Sequence, residues 1–572
     1  MSAVSPLDNS SLWRVLGLSA LCASSMAAVP QPAPAADIGF DSSPIAPDVR
    51  VGDLRALVGG LLGQNTPTER GFNIVPAIDV QELITDNVFQ QHSPRRADLV
   101  TTITPSLLIT GESRRVQANI GINPSAQIYA NTSSQDQLIP QFNGSASITI
   151  VPDELFLQLR GFGSQQSSNG NYATTPSSSY TVADRTNVIS VSASPYATHR
   201  FGGYGTVQVG YVYGYTEITS KNSSNEAQVS PIEAALAQQN TLNNGLLNQT
   251  SGQGLVTGVT TGTSLNRSNE EYASFSSGEN FGRLNYSLRL DATQQTGSIN
   301  SALNGAHQST ISNSFGYGIN RNLALLASFG YEDISYNGTP PTRISDATWS
   351  GGVRITPNEN SEILLKYGHE QGENAITASL SYALTRRLRL LAEYSESLTS
   401  GLGEIQNDLA DSTVDQYGNN ISTATGAPTL IADQLLSLQS SLYRLKRFSG
   451  SAITVYDRDT FTLSVEHERR AVVASAIGGV GYSDHGVSAS ISWSHSVNPD
   501  ITTNASLRYG VDSIDLNGGG SDQNFSLDLS TSYAFTQTLS ARAEFIFRNQ
   551  TSSLAGQNYF QNAVVVGLHK SF

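Results

Sequence analysis

The chain has 572 residues, of which 38% are hydrophobic and only 14% charged, and its formal net charge is −15. A soluble chain of this size usually carries about 25% charge, and a nucleic-acid binder presents a basic surface. A helical membrane protein needs runs of about 20 apolar residues, and no such run occurs past the N-terminus.

Disorder predicts few aromatic residues, yet 23 Tyr and 19 Phe are spread regularly along the chain, with 50 Gly and abundant Ser, Thr, Asn and Gln. That mixture fits many β-strands joined by turns. Only four of the 32 basic residues are lysine (Lys221, Lys366, Lys446 and Lys570). The single cysteine, Cys22, lies in the leader, which leaves the mature chain without disulfides or a thiolate metal site.

Residues 1–36 read as a secretory signal peptide. Arg14 precedes an apolar stretch from Val15 to Val29, followed by the small-residue sites Ser25-Met26-Ala27 and Ala33-Pro34-Ala35. A single membrane anchor is the competing reading. A lipid-modified Cys22 is disfavoured by bulky Leu21 before it. Residues 37–72 contain Pro44, Pro47 and Pro67 and one apolar segment, Val49 to Leu62. They read as a periplasmic linker or short helix, too short for a plug domain.

From Asn73 to Phe572 the chain repeats a unit of alternating apolar and polar residues followed by a turn. In Arg283 to Asp291, residues Leu284, Tyr286, Leu288 and Leu290 share one face, and Arg283, Asn285, Ser287, Arg289 and Asp291 the other. The same alternation runs through Leu388–Tyr394, Phe461–Glu466, Phe525–Phe535 and Leu539–Arg548. Soluble β-sandwich strands also alternate. Here, however, the segments have the length of about ten residues that crosses a tilted bilayer, and aromatic residues sit towards their ends, as membrane girdles do.

Connection lengths decide the matter. Twenty-two segments are predicted, the first over 74–84 and the last over 559–572. Connections after even segments are tight, as at Gly111-Glu112-Ser113, Pro152-Asp153, Asn320-Arg321 and Val497-Asn498-Pro499-Asp500. Connections after odd segments are mostly long, including 219–269 and 399–447, with the short Gly372 turn as the exception. Bacterial barrels have short periplasmic turns and long external loops. The predicted fold is therefore all-β: a transmembrane antiparallel β-barrel of about 22 strands, an even number, with both termini periplasmic and the barrel occupying 73–572.

The polar faces carry candidate lumen-lining charges: Arg283, Arg289, Lys366, Arg387, Arg389, Glu393, Glu466, Arg508, Asp528, Arg542, Glu544 and Arg548. They either line a hydrated channel that selects solutes or pair across neighbouring strands and hold the wall. Two long loops contain helix-like stretches, Pro231 to Leu247 and Ile431 to Leu445. In the second, Leu435, Leu438, Leu442 and Leu445 repeat at helical spacing. They either fold into the lumen and constrict it or form an external cap.

Catalytic and metal chemistry is sparse. His467, Asp484 and His485 are the one set that a Ser-His-Asp site could recruit, against a bland reading in which His467 faces lipid or a rim and Asp484-His485 sit in a loop. Asp457-Arg458-Asp459 reads as a hairpin turn rather than a calcium site. No cofactor is implied, and the chain does not read as an enzyme.

The C-terminus, ending in Gly567, Leu568 and Phe572, resembles the signal by which bacterial outer-membrane barrels are recognised by their assembly machinery, although Lys570 departs from it. Two further segments resemble a family of outer-membrane barrels found with exopolysaccharide and PEP-CTERM protein-sorting systems. One runs through Ile74-Val75-Pro76, Thr85-Asp86-Asn87-Val88 and Asp98 to Pro105. The other runs from Lys446-Arg447-Phe448 through Arg458 to Glu468-Arg469-Arg470. The resemblance implies the bacterial outer membrane and, as partners, polysaccharide export components. The expectation from the whole sequence is a passive or gated pore in outer-membrane lipid, with no nucleic-acid partner. The alternative is a structural or adhesive surface protein with a closed lumen, and an outer-membrane hydrolase comes third.

Overall fold

The computed structural model describes residues 71–167, 185–220, 262–298, 301–410, 412–414, 420–422, 436, 441–475, 482–514, 520–553 and 558–572. The leader, nearly all of the linker and the loop stretch Pro231–Leu247 lie outside the described residues. Strand β1 (Gly71–Thr85) begins two residues before the expected start of the barrel.

In chain order the next strands are β2 (Asp98–Glu112), β3 (Val116–Ile122 with Ser125–Tyr129), β4 (Gln137–Ile139 with Phe142–Val151), β5 (Leu155–Ser167), β6 (Arg185–Arg200), β7 (Gly205–Ser220) and β8 (Gly262–Ser277). Then come β9 (Leu284–Gly297), β10 (His307–Asn320), β11 (Leu323–Tyr336), β12 (Thr342–Asn358), β13 (Ser361–Glu370), β14 (Glu373–Ala383) and β15 (Leu388–Thr399). The barrel ends with β16 (Leu442–Tyr456), β17 (Asp459–Ala474), β18 (Asp484–Asn498), β19 (Ile501–Ile514), β20 (Ser521–Thr536), β21 (Leu539–Ser552) and β22 (Tyr559–Ser571).

Every strand pairs antiparallel with its neighbours in sequence, and β22 returns to β1, from Ala77↔Ser571 to Thr85↔Ala563. The ladder therefore closes on itself as a 22-stranded barrel. Closure removes the edges that would otherwise leave backbone groups unbonded in lipid. Strands β3 and β4 are each broken once, at Asn123-Pro124 and Pro140-Gln141, because proline has no N–H to give the ladder.

The side chains sort by parity. On β11, Leu325, Phe329 and Tyr331 point outward and are exposed, while Ala324, Leu326, Glu332 and Ile334 point inward and are buried. The outer wall carries an apolar belt. One chain of ring contacts climbs the outer wall from the β8–β9 turn through Phe275, Tyr286, Phe315 and Phe329, with ring centroids 6.1, 5.0 and 5.6 Å apart, and Trp349 and Tyr367 make another contact at 5.9 Å. Near the short turns Phe201, Tyr204, Phe281, Tyr317, Tyr456 and Phe535 are all exposed. An apolar outer wall with aromatic residues at the strand ends, on a closed ladder, is the build of an outer-membrane barrel. Leu529 lies midway along the outer face of β20. Leu529→Arg should lower stability by about 2–4 kcal/mol in lipid, read as an earlier denaturant midpoint in vesicles; an unchanged midpoint would mean that this face is not in lipid.

Several strands outrun the expected segments. β8 starts at Gly262 rather than 270, and β16 at Leu442 rather than 448. Above the membrane the outward face need not be apolar. Arg267, Asn269 and Glu271 therefore continue β8 without the alternation that marks its lower half.

Two apolar clusters occupy the lumen at its external end. The β1–β2 connection turns into the lumen, where Val88 and Phe89 pack with Leu83, Val100, Tyr129, Ile546, Ala563 and Val565. The Asp86 carboxylate accepts bonds from the Asn562 backbone N–H and side-chain amide at 2.8 and 2.9 Å. Asn87 donates to the carbonyls of Gln91 and Phe560 at 2.8 and 3.0 Å. The Thr-Asp-Asn turn thus clasps the first strand to the last.

Candidate functional site

The loop after β15 carries the helix α1 (Gly401–Ala410). Ser400 caps it: its Oγ accepts the Gly403 N–H at 3.3 Å. Leu402, Ile405 and Leu409 lie on one face and are buried. They pack against Phe162, Val188 and Ile218 of β5–β7, the 302–306 turn, Ile334 and Tyr336 of β11, and Leu442 and Ala474 of β16 and β17. All of these wall residues face inward, so α1 lies inside the barrel.

Two opposite walls hold it. Arg160 of β5 donates to the carbonyls of Leu409 and Ala410, where a cation complements the helix C-terminus. Asn266 of β8 donates to Gln406 Oε1 at 3.4 Å. On the other side, Arg447 of β16 binds three carboxylates. These are Asp408 at 3.3 Å and Glu404, both on the helix, and Glu468 of β17 at 2.6 Å. Tyr443 also donates to Glu404, at 2.8 Å. β5 and β16 are eleven strands apart in a ring of 22 and so face one another. Both arginines reach the last two turns of α1, from the two sides of the helix.

A second buried group backs this contact. Arg470 is 0% exposed and grips Asp484 through two bonds of 2.8 and 2.5 Å, with its guanidinium 5.1 Å from the Tyr443 ring centroid. Beyond the ladder, Thr339 of the β11–β12 loop and Ser475 at the end of β17 exchange backbone bonds of 2.9 and 3.0 Å. This draws two distant parts of the mouth together.

Ten of the twelve candidate lumen charges face inward from strands: Arg289, Lys366, Arg389, Glu393, Glu466, Arg508, Asp528, Arg542, Glu544 and Arg548. Arg283 and Arg387 do not; both sit exposed in the short turns just before β9 and β15, where the alternation begins one residue later than it appears in sequence. Several of these charges pair along the wall. Arg289 pairs with Glu270 and Asp291 at 3.0 and 3.3 Å, Arg508 with Glu466 at 3.1 Å and Arg542 with Glu544 at 3.0 Å. Lys366, Arg389, Glu393 and Arg548 have no ion-pair partner among the described residues.

The remaining candidates resolve as follows. In the stretch Ile431–Leu445, Leu442 and Leu445 belong to strand β16, and most of 431–440 lies outside the described residues. Among the described residues of this loop the helix is α1, thirty residues earlier. Ser400 and the spacing Leu402, Ile405, Leu409 mark it in sequence, but Gly401 and Gly403 are poor helix formers and mask the signal. Asp484 and His485 open strand β18 rather than lying in a loop: Asp484 points inward to Arg470 and His485 outward. His467 also points outward. No Ser-His-Asp arrangement joins these three. Asp457 and Arg458 form the expected turn, and Asp459 accepts Trp493 Nε1 at 2.7 Å. Among the described residues no group of three or more His, Cys, Asp or Glu could hold a metal. Gly567 lies on the closing seam opposite Gln81, and Leu568 and Phe572 face outward, exposed.

No protein-family model matches the sequence, and neither does any curated protein. Solved structures with a similar fold include the FrpB iron transporter from Neisseria meningitidis, with 9% identity over 90% of this chain and 84% of that chain and a TM-score of 0.48. They also include the siderophore receptor PirA from Acinetobacter baumannii, with 8% identity over 88% of this chain and 81% of that one and a TM-score of 0.46.

Proposed function

We propose that the protein is a gated outer-membrane pore for hydrophilic solutes, closed in this conformation by α1. The observation that carries the reading is the attachment of α1: one cation, Arg447, joins two helix carboxylates to a carboxylate of the adjacent wall strand. Charge-assisted contacts of this kind are strong when made, yet a single change in charge releases them. Below the helix the inner wall is lined by Ser328, Ser350, Ser379, Ser381 and Ser451 with charges between them, a surface suited to hydrated solutes.

The resemblance to barrels of exopolysaccharide systems supports a cargo of polysaccharide or its fragments, with polysaccharide export components as partners. The test is conductance in planar bilayers. The intact chain should stay shut for most of the record, and a chain lacking 401–410 should conduct steadily and be blocked by oligosaccharides. A folded deletion variant that stays silent would reject the pore. It would leave the second reading, a barrel that only displays loops, which the two apolar clusters inside the external end favour.

We also propose that Gly567, Leu568 and Phe572 address the chain to the barrel assembly machinery. The backbone N–H of Phe572 donates to Pro76 at 2.9 Å, so the ladder keeps most of its seam without this residue. Removing Phe572 should therefore reduce the fraction of assembled barrel in cells, seen by heat-modifiable migration, while leaving refolding of the purified chain in detergent unchanged. Equal loss in both settings would assign Phe572 a structural role only.

A further inference from the structure

On the outer wall of β15–β18, just above the apolar belt, lies a row of basic side chains. The register places Glu396 opposite Lys446, Lys446 opposite Arg469, and Arg469 opposite His485. Adjacent strands are about 4.8 Å apart, so Lys446, Arg469 and His485 stand side by side. Their direction follows from their neighbours. Arg447, Glu468, Arg470 and Asp484 are engaged inside the barrel, and the alternate residues Lys446, Arg469 and His485 are exposed on its outside.

Their height follows from the turns. Tyr456, Asp459 and His495 share one register row at the periplasmic end, and each of the three basic residues lies ten positions along its strand from that row. Ten residues of tilted strand rise by roughly 25 Å, the height of a barrel's apolar band. The row therefore sits where the outer leaflet's acyl chains end and its headgroups begin. Beneath it the same outer surface carries Phe448, Leu463, Val465, Val487 and Ile491 down to Phe461 and Trp493.

Carboxylates nearby do not cancel the row. Glu396 engages Lys446 at 2.8 Å. Arg444, two positions above, is held by Glu373 at 3.0 Å. Arg469 has no ion-pair partner among the described residues. His467, two positions below, keeps Nδ1 on the Gly486 carbonyl at 2.9 Å.

We propose that Lys446, Arg469 and His485 bind the phosphate groups of an anionic lipid in the outer leaflet. A lipid fits where a soluble partner does not: its acyl chains run down the apolar strip directly below the row, and its headgroup meets the Lys446 ammonium and the Arg469 guanidinium. The guanidinium of Arg469 presents a planar fork of donors matched to phosphate oxygens. This inference needs only the membrane-spanning barrel and does not depend on the pore reading.

The test is native mass spectrometry of the full barrel released from micelles. Three lipids are compared: bis-phosphorylated lipid A, the same lipid with its phosphates removed, and a zwitterionic phospholipid. The intact protein should retain bis-phosphorylated lipid A over the dephosphorylated form by about tenfold, and Lys446→Gln/Arg469→Gln should bring retention down to that of the dephosphorylated form. Arg469→Gln alone, at an exposed position, should show an intermediate loss and guards against misfolding of the double variant. Equal retention by intact and folded variant proteins would overturn the proposal. Equal retention of the two forms of lipid A, or displacement of lipid A by inorganic phosphate, would also overturn it.

Discussion

Arg447→Gln should turn a mostly closed barrel into a mostly open one. In the wild-type chain Glu404 and Asp408 of α1 and Glu468 of the wall converge on this one guanidinium. Without it, three carboxylates face one another in a partly desolvated site with only the Tyr443 hydroxyl and smaller donors left. Breaking a buried ionic group by removing one partner costs about 3–5 kcal/mol. The helix escapes that cost by leaving the lumen, so the cost falls on the closed state alone. At about 1.4 kcal/mol per factor of ten, the ratio of open to closed barrels should rise by at least roughly a hundredfold. Single-channel records of wild-type and variant chains measure this ratio directly. Arg447→Lys keeps the charge but lacks the planar fork that reaches several carboxylates at once, so its open fraction should fall between the two. If Arg447→Gln conducts no more than wild type, the arginine does not hold the gate.

Arg470→Leu should destabilise the barrel more than any other single change considered. Both members of the Arg470–Asp484 pair are inaccessible, with side chains 0% and 3% exposed. Removing the arginine takes the counter-charge from a buried carboxylate, and the expected loss is about 3–5 kcal/mol. The denaturant midpoint in detergent micelles reads it. The double variant Arg470→Leu/Asp484→Leu removes both charges and should recover most of the loss, because a buried ion pair is often replaceable by apolar residues of similar volume. Since Arg470 also supports Tyr443, which bonds Glu404 of α1, the single variant should conduct more often as well. A double variant as unstable as the single one would show that Arg470 contributes through packing rather than charge pairing.

The barrel was legible in sequence because its determinants are local and repeated. Within the membrane each strand must be apolar outside and can be polar inside, so Leu284, Tyr286, Leu288 and Leu290 alternate with Asn285, Ser287, Arg289 and Asp291 without interruption. All 22 expected segments fall on separate strands of the ladder. The alternation ceases to inform where the wall leaves the lipid, which is why the starts of β8 and β16 lie well before the periodic part. It also cannot tell a turn residue from the first residue of a strand, which is how Arg283 and Arg387 came to look like lumen residues.

The closed external end was much less legible. Its contacts join residues far apart in the chain: Arg160 to Leu409, Arg447 to Glu404, Thr339 to Ser475. Nothing in local periodicity marks such pairs. Arg447 and Glu468 stood out only through the late segment that resembles other barrels, without any sign that the two residues meet. Of the leucine repeat in 431–445, Leu442 and Leu445 continue strand β16 and are buried there, most of 431–440 lies outside the described residues, and a short glycine-containing helix earlier in the loop enters the lumen.

The most direct test of the closed-gate account fixes α1 to the wall opposite Arg447. Gly214 of β7 faces the helix, and a Cβ placed there would lie 3.6 Å from Gln406 Nε2. The only native cysteine is Cys22. Gly214→Cys and Gln406→Cys, introduced together with Arg447→Gln and Cys22→Ser, can therefore be joined by a short cleavable bis-maleimide and recorded in planar bilayers. The account predicts that the openings disappear on cross-linking and return when the linker is cleaved. Openings that persist with the linker intact would contradict it, because the conducting path would then not pass through the position of α1.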